Sequence, residues 1–118
     1  MPHAVLLVDD QPSFIDLARA MLGGDSRLHV VAQVRSGEEA VALAGTLRPD
    51  VAVVDVMMPG INGFEAVRRM RETLPALRAI IVSAVDDPAF PVLAKQVGAC
   101  GFVSKRAFSV EAVNALIG

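Results

Sequence analysis

Asp9 and Asp10 close the apolar run Ala-Val-Leu-Leu-Val, and Asp55 closes the run Val-Ala-Val-Val. A strand buried on both faces has no packing reason to finish in bare acids, so these three carboxylates mark chemistry. Brought within hydrogen-bonding range, they would raise one another's proton affinity unless a cation shared the site. Hard oxygen donors at an open edge suit Mg²⁺ rather than zinc, and His3 and His29 stand alone instead of in a ligand cluster. Ser83 ends a further apolar run, and Lys105 follows another. A hydroxyl and an ammonium suit the peripheral oxygens of a phosphoryl group passing to a carboxylate. Asp55 is the nucleophile candidate because it stands alone on its strand, and the adjacent Asp9 and Asp10 form a cation clamp. Val56-Met57-Met58-Pro59-Gly60 turns sharply after Asp55 and holds it on a fixed loop. Plainer roles exist for the others: Asp9-Asp10 ahead of Pro12 and Ser13 would cap a helix, Lys105 would lie on the surface, and Ser83 would make a turn.

The elements that must position these groups follow from periodicity. Short β-branched runs at residues 4–8, 29–34, 51–54, 79–82 and 101–103 alternate with helical patterns, which is the signature of βα units in a parallel sheet. Phe14, Leu17, Ala18 and Met21 recur at helical spacing before Gly23-Gly24. Ser36 and Glu39 form a capping box for a helix through Val41, Ala44 and Leu47, ended by Arg48-Pro49-Asp50. Phe64, Val67, Met70 and Leu74 mark a third helix before Pro75, and Val110, Val113 and Leu116 mark a last one from Ser109. Pro88 and Pro91 weaken the fourth, so regular helix is expected only over residues 91–97, with 87–90 irregular. Right-handed crossovers place helices on both faces, and ligands bind beyond the carboxyl ends of the strands. Asp9, Asp10, Asp55, Ser83 and Lys105 should therefore converge at one edge.

Composition narrows the class. The 118 residues suit one domain, 1–118, and an apolar content of 53% with mean hydropathy +0.51 excludes disorder. No apolar run spans a bilayer, and Met-Pro-His-Ala-Val lacks a basic signal start, so a cytoplasmic protein without membrane contact is expected. A net charge of −2 argues against direct nucleic-acid binding by this domain. The single cysteine, Cys100, permits no internal disulfide and reads as a small core or half-buried residue.

The runs Val5-Leu6-Leu7-Val8-Asp9-Asp10-Gln11-Pro12, Val53-Val54-Asp55-Val56-Met57-Met58-Pro59-Gly60-Ile61-Asn62-Gly63, Ser83-Ala84 and Gly101-Phe102-Val103-Ser104-Lys105 resemble the receiver domain of two-component response regulators. The resemblance covers essentially the whole chain. It implies an α/β, doubly wound, flavodoxin-like fold: five parallel strands in the order 2-1-3-4-5 with helices on both faces. It further implies that Asp55 accepts a phosphoryl group from the phosphohistidine of a sensor histidine kinase or histidine phosphotransfer protein. Asp10, Asp55 and the Met57 main-chain carbonyl look like direct Mg²⁺ ligands, with Asp9 acting through bound water. Lys105 matches the phosphate-binding lysine, Ser83 the switch hydroxyl and Phe102 the switch aromatic. Ala84 leaves the path between Ser83 and Phe102 open. The family's output face, helix 4, strand 5 and helix 5, would pass the signal to a C-terminal effector domain or a downstream protein, or form a homodimer near Phe90, Arg106 and Phe108. Such a protein is a switch rather than an enzyme, assisting its own Mg²⁺-dependent phosphorylation and dephosphorylation. Phe102 lacks the frequent tyrosine hydroxyl, and Arg106 stands where many members carry proline. Met57 and Val85 are apolar where members often carry groups that position water, so slow self-dephosphorylation is expected.

Rival functions fit the residues less well. A haloacid-dehalogenase-type phosphatase would need an acid two places after its nucleophile, where Met57 stands. A flavodoxin-type FMN carrier would need an acid-free phosphate loop, and Asp9-Asp10 would repel the phosphate. A binding module of the same fold without phosphorylation would have no use for Asp10, Asp55, Ser83 and Lys105 together.

Overall fold

The computed structural model describes residues 2–118. Five strands, β1 (His3–Val8), β2 (Leu28–Val34), β3 (Val51–Asp55), β4 (Arg78–Ser83) and β5 (Gly101–Ser104), alternate with five α-helices. The helices are α1 (Pro12–Leu22), α2 (Gly37–Leu47), α3 (Gly63–Thr73), α4 (Ala89–Gln96) and α5 (Val110–Ile117), and a 3₁₀ turn spans Lys105–Ala107. All strand pairs are parallel, in the order β2-β1-β3-β4-β5. The expected doubly wound α/β fold is the one observed.

The central strands are apolar throughout because both of their faces are covered. Along β1, Val5 and Leu7 enter a core with Phe14, Ile15, Ala18 and Leu22 of α1 and Val113 and Ile117 of α5. Leu6 and Val8 enter the opposite core with Ala40 and Ala44 of α2 and Ala66, Val67 and Met70 of α3. Each fully buried valine or leucine adds about 1.5–3 kcal/mol through area removed from water. With this alternation, a one-residue slip would exchange the two cores. Strand ends are consequently fixed, and the acids that follow them are fixed in turn.

Four expectations need correction. In α1 the buried stripe is Phe14, Ile15, Ala18 and Leu22, and Leu17 is 46% exposed, so the apolar pattern was wider than the buried one. Regular helix in α4 begins at Ala89, two residues before the expected boundary. Pro88 sits at the N-cap and Pro91 in the first turn, where amide hydrogens have no intrahelical partner, so neither proline removes a needed donor. Residues 87–88 are irregular as expected; Asp87 Oδ1 accepts the Ala89 amide at 2.8 Å and its carbonyl accepts the Phe90 amide at 2.9 Å. Cys100 is exposed, since its turn lies outside both cores. Phe108 is buried against Phe14, ring centroids 5.2 Å apart, so it anchors α1 and cannot contribute to a surface face.

Candidate functional site

β1 and β3 are neighbours, with Val8 opposite Val54 in register, so Asp9 and Asp55 emerge side by side from adjacent strand ends. Carboxylate oxygens of Asp9, Asp10 and Asp55 all lie within 4.8 Å of one another. Lys105, on the 3₁₀ turn after β5, reaches across the edge: its Nζ lies 2.7 Å from Asp9 Oδ2 and 3.5 Å from Asp55 Oδ1. The three side chains are withdrawn from water, Lys105 to 10% exposure, Asp9 to 2% and Asp55 to 5%. Solvent screening is correspondingly weak, and the charges act strongly on each other.

The acids do not cap α1. Its N-cap is Gln11, which makes no side-chain cap, and Pro12 fills the first helical position. Asp9 Oδ1 accepts the Gln11 amide at 2.9 Å and fixes the turn. Asp9 Oδ2 faces the Lys105 ammonium at 2.7 Å without a hydrogen bond aligned on it, although it is fully buried. Such an oxygen can receive a cation without giving up a hydrogen bond. Burial, followed by the charge of Asp9, pushes the Asp55 carboxyl up to about 6 from its ordinary 3.8, against the pull of Lys105. A cation seated among the three acids would relieve that repulsion, so the donor set fits Mg²⁺ in chemistry and spacing.

Gly63 and Asn62 tie α3 to the end of β3. The Gly63 amide donates to the Val56 carbonyl at 2.9 Å, and a Cβ at Gly63 would fall 2.1 Å from the Asp55 carbonyl oxygen. Only glycine permits that approach. Asn62 Oδ1 accepts the Glu65 amide at 2.9 Å and caps the helix.

Ser83 is buried at the end of β4, one residue past the Val82 partner of Asp55. Its Oγ accepts the Val85 amide at 3.0 Å, so Ser83 does make the turn. Phe102 on β5 packs on Phe90 of α4, centroids 5.8 Å apart, and Phe90 packs on Phe64 of α3 at 5.7 Å. Met57 presents a side chain 62% exposed beside the acids, lining an apolar groove with Met58, Phe64, Phe90 and Asp10. Asp9, Asp10, Asp55 and Lys105 thus form one cluster, with Ser83 on the neighbouring strand end and Phe102 separate from it on the α4 side. Sequence reasoning passed over Gln11 and the second role of Phe14. Gln11 Oε1 accepts from Lys105 Nζ at 3.2 Å, and the Phe14 ring lies 4.7 Å below that nitrogen. The position of Gln11 directly after the acid pair was the available signal; Phe14 gave none beyond its place in a core stripe.

Residues 5–117 match the response regulator receiver domain. The chain belongs to that family. It is 40% identical over 116 residues to the response regulator GacA of Pseudomonas syringae pv. syringae (strain B728a), covering 95% of this chain and 52% of that protein. It is 36% identical over 103 residues to the protein PilH of Pseudomonas aeruginosa, covering 86% and 84% respectively. A two-component response regulator of the LuxR family from Aurantimonas sp. SI85-9A1 superposes with TM-score 0.91 at 32% identity, over 99% of this chain and 86% of that one. The receiver chain spans about half the length of the GacA proteins it matches. Receiver domains act as phosphoacceptors in two-component signalling, typically bind Mg²⁺, and interact with histidine kinases or phosphotransfer proteins. Among the described residues, no helix is long and apolar enough to cross a membrane.

Proposed function

We propose that Asp55 accepts the phosphoryl group from a phosphohistidine of a sensor histidine kinase or histidine phosphotransfer protein. The observation that carries this is the placement of one ammonium, Lys105 Nζ, between Asp9 and Asp55 beside a third acid, with Asp55 deprived of solvent. An Asp55 carboxylate oxygen attacks phosphorus, the P–N bond breaks, and its electron pair leaves with the imidazole, giving an acyl phosphate. Asp9, Asp10, Asp55 and the Met57 carbonyl would hold Mg²⁺, which when bound offsets the charge of the phosphoryl oxygens. Lys105 exchanges its contact with Asp9 for a phosphoryl oxygen, a favourable trade because that oxygen brings fresh negative charge.

Ser83 Oγ now accepts a hydrogen bond, which leaves its own proton for a phosphoryl oxygen once the β4–α4 loop moves inward. That movement opens space for Phe102, whose partner Phe90 belongs to α4. The switch equilibrium shifts by the difference in contacts between its two states, so Ser83 and Lys105 set its bias. The face of α4, β5 and α5 carries the output to a C-terminal effector domain, a downstream protein or a second copy. The exposed apolar side chains of Met57 and Val85 offer attacking water no polar partner and favour a long-lived phosphoryl state. Incubation with acetyl phosphate and Mg²⁺ should add one phosphoryl mass to wild type and none to Asp55→Asn; a wild type that gains none refutes the proposal.

A further inference from the structure

The loop leaving Asp55 is held from outside by α2. Glu38, at the second position of that helix, accepts the Ile61 amide on Oε2 at 3.0 Å from 23 residues away. Gly60, with φ of +81°, lies under the same carboxylate: a Cβ there would come 2.5 Å from Oε2 and 2.7 Å from Oε1. On the other side of the contact, a Cβ at Gly37 would meet Ile61 Cγ1 at 2.6 Å. Glycine on both sides thus lets α2 approach the loop closely. The neighbouring Glu39 works within its own helix start: Ser36 Oγ accepts its amide at 3.1 Å, and its carboxylate accepts the Arg35 amide at 3.3 Å. Glu38 is exposed and has no part in that cap, so neither burial nor capping of α2 explains its contact with the loop.

Besides the Val56 amide on the Val82 carbonyl at 2.9 Å and the Asn62 cap of α3, the loop has two ties: the Gly63 amide to the Val56 carbonyl at 2.9 Å, and the Ile61 amide to Glu38 at 3.0 Å. Met57 lies between them in the chain. A main-chain carbonyl binds a cation well only when its peptide is held in place, since ordering it on binding would subtract from affinity. We propose that Glu38 is a positioning residue of the phosphoryl site, clasping Ile61 so that the Met57 carbonyl stays directed at the cation. This inference rests on Met57 being a cation ligand. Glutamine can accept the same amide and should preserve the clasp; alanine cannot.

The test is a Mg²⁺ titration of wild type, Glu38→Ala and Glu38→Gln, followed by amide NMR, together with hydrogen exchange at Ile61 in metal-free protein. Glu38→Ala should lose protection at Ile61 and weaken Mg²⁺ affinity about tenfold, with the thermal midpoint within about 3 °C of wild type. Glu38→Gln should restore Ile61 protection and bring affinity to within about threefold of wild type, because one removed surface charge is screened. If wild type binds Mg²⁺ and Glu38→Ala binds it equally well, the inference fails alone. Equal weakening by alanine and glutamine would assign the effect to charge and also overturn the clasp. A wild type that takes up no Mg²⁺ refutes the ligand reading, and the inference with it.

Discussion

Helices α3 and α4 flank the same groove beside Asp55, yet they are attached very differently. α3 is capped by Asn62, carries Glu65 in its first turn paired with Arg68 at 2.6 Å and Arg69 at 2.7 Å, and buries Gly63, Ala66, Val67 and Met70. α4 has three residues fewer, has Pro88 at its N-cap without a side-chain cap, and buries only Ala94. The helix that follows β3 is bolted down, and the helix that carries Phe90 rests on Ala94 and on aromatic contacts. A fold that must keep its acids fixed while releasing a signal needs both kinds of attachment.

Matching first positions test this contrast hardest. Gly63→Val drives a side chain into the Asp55 carbonyl and should cost at least about 4 kcal/mol, whereas Ala89→Val at the same position of α4 should cost less than about 1 kcal/mol. Urea unfolding of both variants measures the difference, and equal losses would break the comparison. In mid-helix, Met70→Ala should destabilise by about 3 kcal/mol, while Leu93→Ala, which removes a partly exposed side chain, should cost about 1 kcal/mol or less.

Native-state hydrogen exchange sharpens the picture without mutation. Amides in α4 should open with about 2 kcal/mol less free energy than those in α3, and beryllofluoride with Mg²⁺ should shift resonances at Ser83, Phe90 and Phe102 more than those in the second half of α3. Comparable protection in both helices would leave α4 no looser than α3.

Asp55 couples stability to pH. Its folded carboxyl titrates at about 6, above the ordinary 3.8, so the native state binds more protons than the unfolded chain between those values. Stability of the metal-free protein should therefore fall as pH rises through that window, by about 3 kcal/mol at most. The difference in stability between wild type and Asp55→Asn isolates this group, and saturating Mg²⁺ should diminish it. A difference independent of pH would count against the raised value. The smallest effects concern the caps: Asn62→Ala should cost about 1 kcal/mol, and Pro88→Ala less than about 0.5 kcal/mol in either direction because its ring makes no cap. Thermal unfolding of the two variants provides the comparison.

How much of this was legible beforehand depended on whether the determining interaction was local. Unbroken apolar runs can be buried only by covering both faces of a strand, so the parallel sheet and the placement of Asp9, Asp10 and Asp55 at its carboxyl edge were fixed by pattern. Ser36 and Glu39 announced α2 for the same reason, since a capping box is complete within four residues. The start of α4 was missed by two residues because the cost of a proline depends on which first-turn position it takes. The exposed Leu17 and Cys100 and the buried Phe108 were misjudged because side-chain type does not say which neighbour covers it.

The sequence by itself determined the fold class, the family and the acids, hydroxyl and lysine expected at the site, since each is a matter of residue type at strand ends. Only the tertiary structure decided that Lys105 lies nearer Asp9 than Asp55, that Phe14 and Gln11 support it, that Phe102 leans on Phe90, and that Glu38 holds Ile61. The physical reason is reach. Hydrophobic period and turn chemistry act over a few residues and are written along the chain, whereas these contacts join groups 12 to 96 positions apart and exist only once the sheet has brought its strands and helices together.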